Sequence, residues 1–386
     1  MDSPDWATLI PDLLHRISQK LLPCSFDYVS FRSTCPGWRS AAPRVNFAPL
    51  LMFPFDPNAG TLSFYSPSDD KLHSFSFPEA TSTVFCGSSH GWLLLMDQAA
   101  SISLLNPFTR KRIHLPPADE ELALASLNRV SKVGTRWISH SEDGTLTPLG
   151  LSDMQQVFID EAVLSSAPDS GGDFIVMATL ALSTQVAYCR RSDSKWTLLE
   201  TNLPCNVKSV TYYDGRFFVM DCAGEIAVLG VDFRGKVVLL ASMETPNGHF
   251  NCKLVESRGV LLLVGLVIDF VDEENLDLQS EFEVYRFNPG GERMWCRVES
   301  IGDQTLFLSL RSSSNVAGRT LSKCRVNSIY YSAQNFEANM PVAPGRHHME
   351  VVNLADGSSE LVPCHVPSEG AEPAAWFQPN LNVWEL

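Results

Sequence analysis

The first 45 residues carry apolar side chains at helical spacing, and the rest of the chain alternates short apolar runs with polar turns. The helical stripe places an aliphatic residue at every fourth position, at Leu13, Ile17 and Leu21. Pro11 suits a first helical position because its missing N–H needs no partner there, and Pro23 ends the stripe. The pattern predicts one helix between these prolines, a second over about residues 25–35 and a third short helix from Pro36.

Three helices this short cannot bury all their apolar residues among themselves. A domain of about 40 residues lies below the size that usually folds without disulfides, a metal or a partner. We therefore expect part of the apolar surface of this helical head to face another protein, although a plain helical cap on the following domain is the ordinary alternative for such a stripe.

The remaining residues repeat a glycine followed by a strongly apolar strand. The repeat starts at Gly91, Gly215 and Gly259, which lie 124 and 44 positions apart. After each such strand come a second strand, a polar turn such as Asn106-Pro107 and a third strand, which is typical of antiparallel hairpins. A four-stranded sheet per unit of about 40 residues predicts a β-propeller, here with about six blades.

The predicted blade strands are short and are bounded by turn residues. They lie within Thr61–Phe77 and at Ile102–Leu105, Arg112–Leu115, Phe174–Ala178, Val186–Cys189, Trp196–Leu199, Ile226–Val231, Val237–Leu240, Phe282–Phe287, Met294–Val298, Asn327–Ser332, Glu350–Leu354 and Glu360–Pro363. Both Phe47–Phe53 and Trp376-Phe377 are candidates for the strand that closes the ring. Residues 118–156 fit no blade, and we expect them to form a surface insertion.

The head resembles an F-box, the module that joins a substrate receptor to a Skp–cullin ubiquitin ligase. The resemblance rests on two motifs in order, Leu9-Ile10-Pro11-Asp12-Leu13-Leu14 and Cys35 followed by Trp38-Arg39. It implies contact with a Skp-type adaptor, and through it with cullin. The residues assigned to this contact are Ile10, Pro11, Leu13, Leu14, Ile17 and Leu21, with Val29, Phe31 and Trp38 shaping the head or completing the contact.

Residues 60–380 are similar to the C-terminal domain of plant F-box proteins of the KIB type. The stretches that carry this resemblance include Ala162–Pro168, Ala187–Arg191, Val255–Ser257 and Asn327–Tyr331. It implies an α+β multidomain protein, with a three-helix F-box over residues 1–45 and a β-propeller over residues 46–386. The implied function is that of a non-catalytic receptor subunit whose propeller binds an unknown target protein. A scaffold without any ubiquitin role is the alternative.

The chain has a net charge of −15. The first 45 residues hold five basic and four acidic side chains, which leaves about −16 for the rest. Such a surface repels phosphate backbones, so nucleic acid is a poor partner, and the basic triplet Arg110-Lys111-Arg112 is expected to be a hairpin turn.

No signal peptide is visible, and the longest apolar run, Val260–Ile268, is too short to span a bilayer. Ten cysteines without Cys-x-x-Cys pairs fit a reducing cytoplasmic or nuclear setting.

An enzyme is the rival class, and the sequence offers little for it. His347-His348 with Glu350 is the nearest approach to a metal site, but adjacent residues on a strand point to opposite faces. Ser88-Ser89-His90 lacks any motif that would activate a serine. We therefore predict no catalytic residues, no metal ligands and no cofactor. The acidic run Asp269–Asp277 is expected to be a solvated loop, with contact to a basic target as the alternative.

Overall fold

The computed structural model describes most of the chain. It covers residues 6, 9–22, 24–43, 45, 47–56, 58–125, 130–134, 136–141, 143–168, 171–232, 236–245, 252–272, 277–291, 293–309, 312–317, 324–332, 347–367 and 375–380. The predicted domain boundary between residues 45 and 46 involves Asn46, which lies outside the described residues, and it stays a prediction.

The head consists of three helices where the sequence predicts them. They are α1 (Pro11–Leu21), α2 (Ser25–Ser33) and α3 (Pro36–Ala41). Prolines occupy the first positions of α1 and α3, where no intrahelical N–H bond is lost. Asp12 and Asp27 lie in first turns, where a carboxylate complements the positive end of the helix. Two further helices, α4 (Glu120–Ala125) and α5 (Leu151–Val157), lie later in the chain.

The rest of the described chain is mainly β. The strands in chain order are β1 (Leu50–Met52), β2 (Thr61–Ser66), β3 (Lys71–Ser76), β4 (Thr83–Ser89), β5 (Trp92–Asp97), β6 (Ile102–Leu105), β7 (Arg112–His114), β8 (Val130–Val133), β9 (Arg136–His140), β10 (Leu146–Pro148), β11 (Ile159–Leu164), β12 (Ile175–Leu180), β13 (Gln185–Arg190), β14 (Thr197–Glu200), β15 (Val207–Tyr213), β16 (Arg216–Asp221), β17 (Glu225–Val231), β18 (Val237–Glu244), β19 (Cys252–Ser257), β20 (Val260–Asp272), β21 (Asp277–Phe287), β22 (Trp295–Val298), β23 (Gln304–Ser309), β24 (Ser312–Ala317), β25 (Ser328–Ser332), β26 (His347–Asn353), β27 (Ser359–Cys364) and β28 (Ala375–Phe377).

In the part of the chain that the structure describes, these strands form seven sheets. The sheets have the strand orders β28-β1-β2-β3, β4 to β7, β10-β9-β8, β11 to β14, β15 to β18, β19 to β22, and β24-β23-β25-β26-β27. Six of these described sheets are blades of one ring, because their innermost strands adjoin in the cycle β28, β4, β11, β15, β19, β24 and back to β28. The predicted propeller of about six blades is confirmed.

The three-stranded sheet β10-β9-β8 lies in the predicted insertion, outside the cycle of inner strands. It is not merely a surface feature, because Trp137 of β9 is 1% exposed and packs edge-on against Phe158 at a ring separation of 4.8 Å. Helix α5 of the same segment contacts β4, β5 and β11. The insertion therefore fills space between the second and third blades.

The first blade combines strands from both ends of the described chain. Strand β28 pairs antiparallel with β1, with Leu50 opposite Phe377 and Leu51 opposite Trp376. Both candidates for ring closure thus belong to one blade. This arrangement covers the edge of β1 and closes the ring without an open sheet edge at that point.

Strand β5 shows why the second strands of the blades are apolar at every position. Trp92, Leu94 and Met96 face the core shared with the third blade, whereas Leu93 and Leu95 face the core shared with the first blade. Side chains of a strand alternate between faces, so a sheet stacked between two others needs apolar residues on both. The glycine-plus-strand repeat in the sequence is the signature of this position.

Three other expectations from the sequence can be compared with the structure. The turn at Asn106-Pro107 lies between β6 and β7, as predicted. Strand β20 continues to Asp272 and β21 begins at Asp277, so the acidic run is not wholly a loop; its central residues 273–276 lie outside the described residues. Among the described residues, no helix has the length and hydrophobicity needed to cross a membrane.

Candidate functional site

The helices of the head share a small core with the segment that leads into the propeller. Its buried members are Leu14, Tyr28, Val29, Phe31, Ala42 and Phe47. The Tyr28 hydroxyl donates to the carbonyl of Pro43 at 2.5 Å, and the buried Arg32 guanidinium donates to the carbonyl oxygens of Arg39 and Ala42. These bonds satisfy carbonyl groups at and just after the end of α3, where the Arg39 carbonyl also accepts the backbone N–H of Ala42.

Part of the apolar surface of the head remains in solvent. Ile10 is 65% exposed and Leu13 is 43% exposed, and both lie on the first turn of α1 with the exposed Pro11 between them. Trp6 is 61% exposed, and its carbonyl accepts a hydrogen bond of 3.0 Å from the indole Nε1 of Trp38. We call Trp6, Ile10, Pro11 and Leu13 the N-terminal apolar patch. Exposed groups of this size mark candidate contact surfaces.

The nine residues assigned to the adaptor contact divide into three groups by burial. Ile10, Pro11 and Leu13 are exposed, Ile17, Leu21 and Trp38 are half-buried, and Leu14, Val29 and Phe31 are buried. The third group packs inside the head and offers no surface to a partner in this conformation. Adaptor contact by all nine stays a prediction.

Phe26 of α2 joins the head to the first two blades. Its ring centroid lies 4.5 Å from that of Phe75, 5.2 Å from Phe108 and 5.7 Å from Phe64. Near the same junction, the side-chain amide of Gln378 donates to the carbonyl of Phe47 at 2.6 Å. The head is therefore packed on the propeller through an aromatic cluster. The sequence analysis places Phe26 within the predicted second helix but gives no sign of this contact.

A polar group lies beside Phe26 at this junction. The ring of Phe26 is 4.9 Å from that of His73, and the Nε2 atom of His73 is 3.2 Å from the Asp69 Oδ2 atom. Cys24 brings its thiol to the same place from the residue before α2. Burial, with the nearby carboxylates of Asp27 and Asp69 adding to it, raises the pKa of this thiol to about 11. Sequence spacing gave no signal for this group.

The inner strands of the propeller are linked by polar side chains. The Ser88 hydroxyl donates to the Trp376 carbonyl at 3.0 Å, and the Ser89 hydroxyl accepts from the N–H of Leu164 at 3.1 Å. These serines thus connect the second blade to its two neighbours. Both hydroxyls therefore take part in bonds between blades.

One buried ion pair lies on the same inner strands. The Lys253 Nζ atom of β19 is 3.1 Å from the Glu161 Oε2 atom of β11, with side-chain exposures of 14% and 4%. Burial raises the pKa of the Glu161 carboxyl, and the positive charge of Lys253 opposes this rise.

The remaining sequence candidates do not gather into a site within the described residues. The side chains of His347 and His348 lie outside those residues. Arg110 follows the turn after β6, as predicted for the basic triplet, but it is not simply solvated. Its guanidinium pairs with Glu79 at 3.0 Å and lies 5.0 Å from the ring centroid of Phe77.

Comparison with known proteins identifies the propeller. Residues 64–353 match the family model described as KIB1-4 beta-propeller. F-box protein SKIP23 of Arabidopsis thaliana is 28% identical to this chain, over 93% of this chain and 91% of its own length. F-box protein At2g17036 of the same plant is 27% identical, over 93% of this chain and 90% of its own length.

A solved structure of the Cps50 (Swd1) β-propeller domain of Myceliophteria thermophila covers 84% of this chain and 88% of its own at 12% identity. Its TM-score of 0.39 is too low to support any inference. The family match spans most of the propeller, and the relatives cover both the head and the blades. The chain therefore belongs to the KIB1-4 beta-propeller family and has the organisation of an F-box protein, with a helical head before the propeller.

Proposed function

We propose that this protein is the substrate-recognition subunit of a Skp–cullin–F-box ubiquitin ligase. In this proposal the head binds a Skp-type adaptor through the N-terminal apolar patch, and the propeller binds a target protein. The observation that carries the proposal is the exposure of Ile10 and Leu13 on a head whose other apolar residues are largely covered. The relatives named as F-box proteins support the same assignment.

The energetics of the patch suit a docking surface. Complete burial of one fully exposed aliphatic side chain of this size contributes about 1.5–3 kcal/mol, so the still exposed parts of Ile10 and Leu13 together would supply a fraction of that amount per residue to a contact. A few central apolar residues usually dominate such an interface. The half-buried Ile17 and Leu21 would add to it at the edge.

No catalytic group is needed for this function. A receptor that holds a target beside a charged ubiquitin-conjugating enzyme raises the local concentration of the target's lysines around the reactive thioester. The aromatic packing of Phe26 against the first two blades supports this role, because a head fixed on the propeller keeps the distance between adaptor and target nearly constant.

The proposal does not identify the target protein, but the charge of this chain indicates the surface charge that a target would carry. The chain beyond the head carries about −16 of charge, and opposite potentials steer the encounter of two proteins. A target with a basic surface fits this charge. We place the protein in the cytoplasm, the nucleus or both, where such ligases act.

The test is the substitution Leu13→Asp in the full chain, measured by binding to a recombinant Skp-type adaptor. We expect at least a tenfold loss of affinity, because the charge would be buried at the contact. Leu361→Asp is the matched control, since Leu361 is 59% exposed on β27 and lies outside the head. The control should bind as the wild type does, and both variants should unfold at the wild-type temperature.

Equal adaptor binding by Leu13→Asp and the wild type would refute the contact. The ligase assignment also requires that the reconstituted complex transfers ubiquitin to proteins that co-purify with the propeller. Adaptor binding without any such transfer would favour the alternative of a scaffold without a ubiquitin role. Turnover of generic hydrolase substrates by the isolated chain would instead favour a propeller enzyme.

A further inference from the structure

We propose that Cys24, Asp69 and His73 form a site for a divalent transition metal, Zn²⁺ in a reducing setting, at the junction between the head and the first blade. One atom from each residue, the Cys24 thiol, an Asp69 carboxylate oxygen and a His73 ring nitrogen, lies within 4.8 Å of the other two. The three residues come from different elements: the start of α2, the turn after β2, and β3.

The separations are close to those of a bound ion. Zinc holds sulfur, nitrogen and oxygen ligands at about 2.0–2.3 Å, so tetrahedral ligand atoms lie about 3.3–3.8 Å from one another. The distance of 3.2 Å between His73 Nε2 and Asp69 Oδ2 lies just below this range. No two of the three ligand atoms are more than 4.8 Å apart. Side-chain rotations that move these atoms by about 1 Å are therefore enough to bring all three into contact with one ion.

The second carboxylate oxygen of Asp69 gives an independent reason to expect an ion. The Asp69 side chain is 8% exposed, and its Oδ1 atom is inaccessible to solvent and has no hydrogen-bond partner. A buried carboxylate oxygen without a donor is costly, since its hydration is lost and nothing replaces it. A cation held by both oxygens of the Asp69 carboxylate would supply the missing partner of Oδ1.

The donor set also indicates which metal. A thiolate, an imidazole and a carboxylate together are typical ligands of Zn²⁺, whereas Mg²⁺ and Ca²⁺ prefer oxygen atoms alone. On binding, the S–H bond of Cys24 breaks, a sulfur–metal bond forms and the proton passes to solvent. Water would complete four-coordination, since three protein ligands are present among the described residues.

The position suggests what the metal would do. Cys24 belongs to the head, and Asp69 and His73 belong to the β2–β3 hairpin, so one ion would connect the two beside the aromatic cluster of Phe26. Such a link would fix the orientation of the head on the propeller. The site does not depend on adaptor binding, so its test and the test of the proposed function fail independently.

The experiment uses Co²⁺ as a probe that replaces Zn²⁺, added to the full-length reduced chain. We expect one equivalent to bind, with a thiolate-to-cobalt charge-transfer band in the near ultraviolet and intense visible bands of four-coordinate cobalt. Zn²⁺ should displace the Co²⁺ and abolish both. Zn²⁺ should also raise the unfolding temperature of the wild type, because a ligand that binds only the folded state stabilises it.

The variants assign the ligands. Cys24→Ser should abolish the charge-transfer band, and His73→Gln and Asp69→Asn should each weaken binding at least tenfold. Cys35→Ser is the matched control, because Cys35 occupies the equivalent position before α3 and is also half-buried. The cobalt spectrum of this variant should equal that of the wild type.

No charge-transfer band in the wild type, or a band that persists in Cys24→Ser, would overturn the proposal. Circular dichroism of each variant verifies that it is folded, and Cys24→Ala replaces Cys24→Ser if the serine variant is not.

Discussion

The ammonium group of Lys253 lies 3.1 Å from the carboxylate of Glu161, although the strands that carry these residues are not neighbours in the ring. Strand β15 of the fourth blade lies between β11 and β19. The same ammonium also donates to the carbonyl of Lys208 on β15 at 3.5 Å. One lysine therefore links the inner strands of three consecutive blades.

Replacement of Lys253 by methionine should destabilise the propeller. The substitution keeps a similar side-chain volume but leaves the Glu161 carboxylate buried without its cation. Loss of one partner of a buried ion pair typically costs about 3–5 kcal/mol. Urea unfolding at neutral pH, followed by tryptophan fluorescence, measures the loss of free energy of unfolding.

Arg258→Met is the control for this prediction, since Arg258 pairs with Asp303 at 2.8 Å but the two side chains are 54% and 39% exposed. An exposed pair of this kind contributes less than about 1 kcal/mol. Equal losses in the two variants would show that burial of the Glu161–Lys253 pair has no special energetic importance.

The effect of Lys253→Met should depend on pH. Burial raises the pKa of Glu161 above its ordinary value of 4.5, and Lys253 opposes that rise. A carboxyl whose pKa is raised on folding gives its full contribution to stability below pH 4.5 and loses it as the pH rises through the raised pKa. Without Lys253 the pKa rises further. The destabilisation should thus be largest at neutral pH and should shrink as the pH falls towards 4.5; a pH-independent difference would contradict this account.

Gly87→Ala should weaken the contact between the second and third blades. A Cβ atom on Gly87 would lie 2.9 Å from the backbone oxygen and 3.0 Å from the backbone nitrogen of Ala162, and the φ angle of +153° is rare for other residues. Relief of such an overlap requires the strands to move apart, at a cost of about 1–3 kcal/mol. Thermal unfolding measures it. Gly172→Ala, at a position with open space, should leave the midpoint within about 1 °C of the wild type.

Trp376→Ala should test the closure of the ring. The Trp376 side chain is fully buried, its ring packs edge-on against Phe307 at 4.8 Å, and its indole Nε1 donates to the carbonyl of Leu308 at 2.9 Å. Truncation of a buried tryptophan costs about 3–5 kcal/mol. Denaturant unfolding should show this loss, together with faster hydrogen exchange of the amides of β1.

Trp6→Ala is the matched control for ring closure, since the Trp6 side chain is 61% exposed and its bond to Trp38 uses the backbone carbonyl. Its stability should stay within about 0.5 kcal/mol of the wild type. If Trp376→Ala lowered the free energy of unfolding by no more than Trp6→Ala does, β28 would not be essential to the closed ring.

The outer parts of the blades could be predicted from the sequence because their signals are local. Strand β6 was predicted with its observed bounds, and the strands of the third to sixth blades differ from prediction mainly at their ends. An apolar run between two turn formers needs no knowledge of the rest of the chain. The helices α1 and α3 were predictable for the same reason, from Pro11 and Pro36.

Apart from β28, the inner strands gave no such signal. Strands β11 and β15 place polar residues such as Glu161 and Ser209 among apolar ones, because those side chains bond to the strands of neighbouring blades. Their partners are remote in sequence: Lys253 follows Glu161 after 92 positions. Cys24, Asp69 and His73 were likewise invisible, since only the packing of the head on β2 and β3 brings them together.

The pairing of β28 with β1 has a consequence for synthesis. Among the described residues, all other strands are synthesised before β28, so the first blade lacks its innermost strand until residues 375–377 have emerged. During that interval Leu50, Leu51 and Met52 lack the strand that pairs with them, and an unpaired apolar strand of this kind is prone to pair with other chains. A chain that stops before residue 375 would keep this edge permanently unpaired, even though the helical head and the other five blades could form.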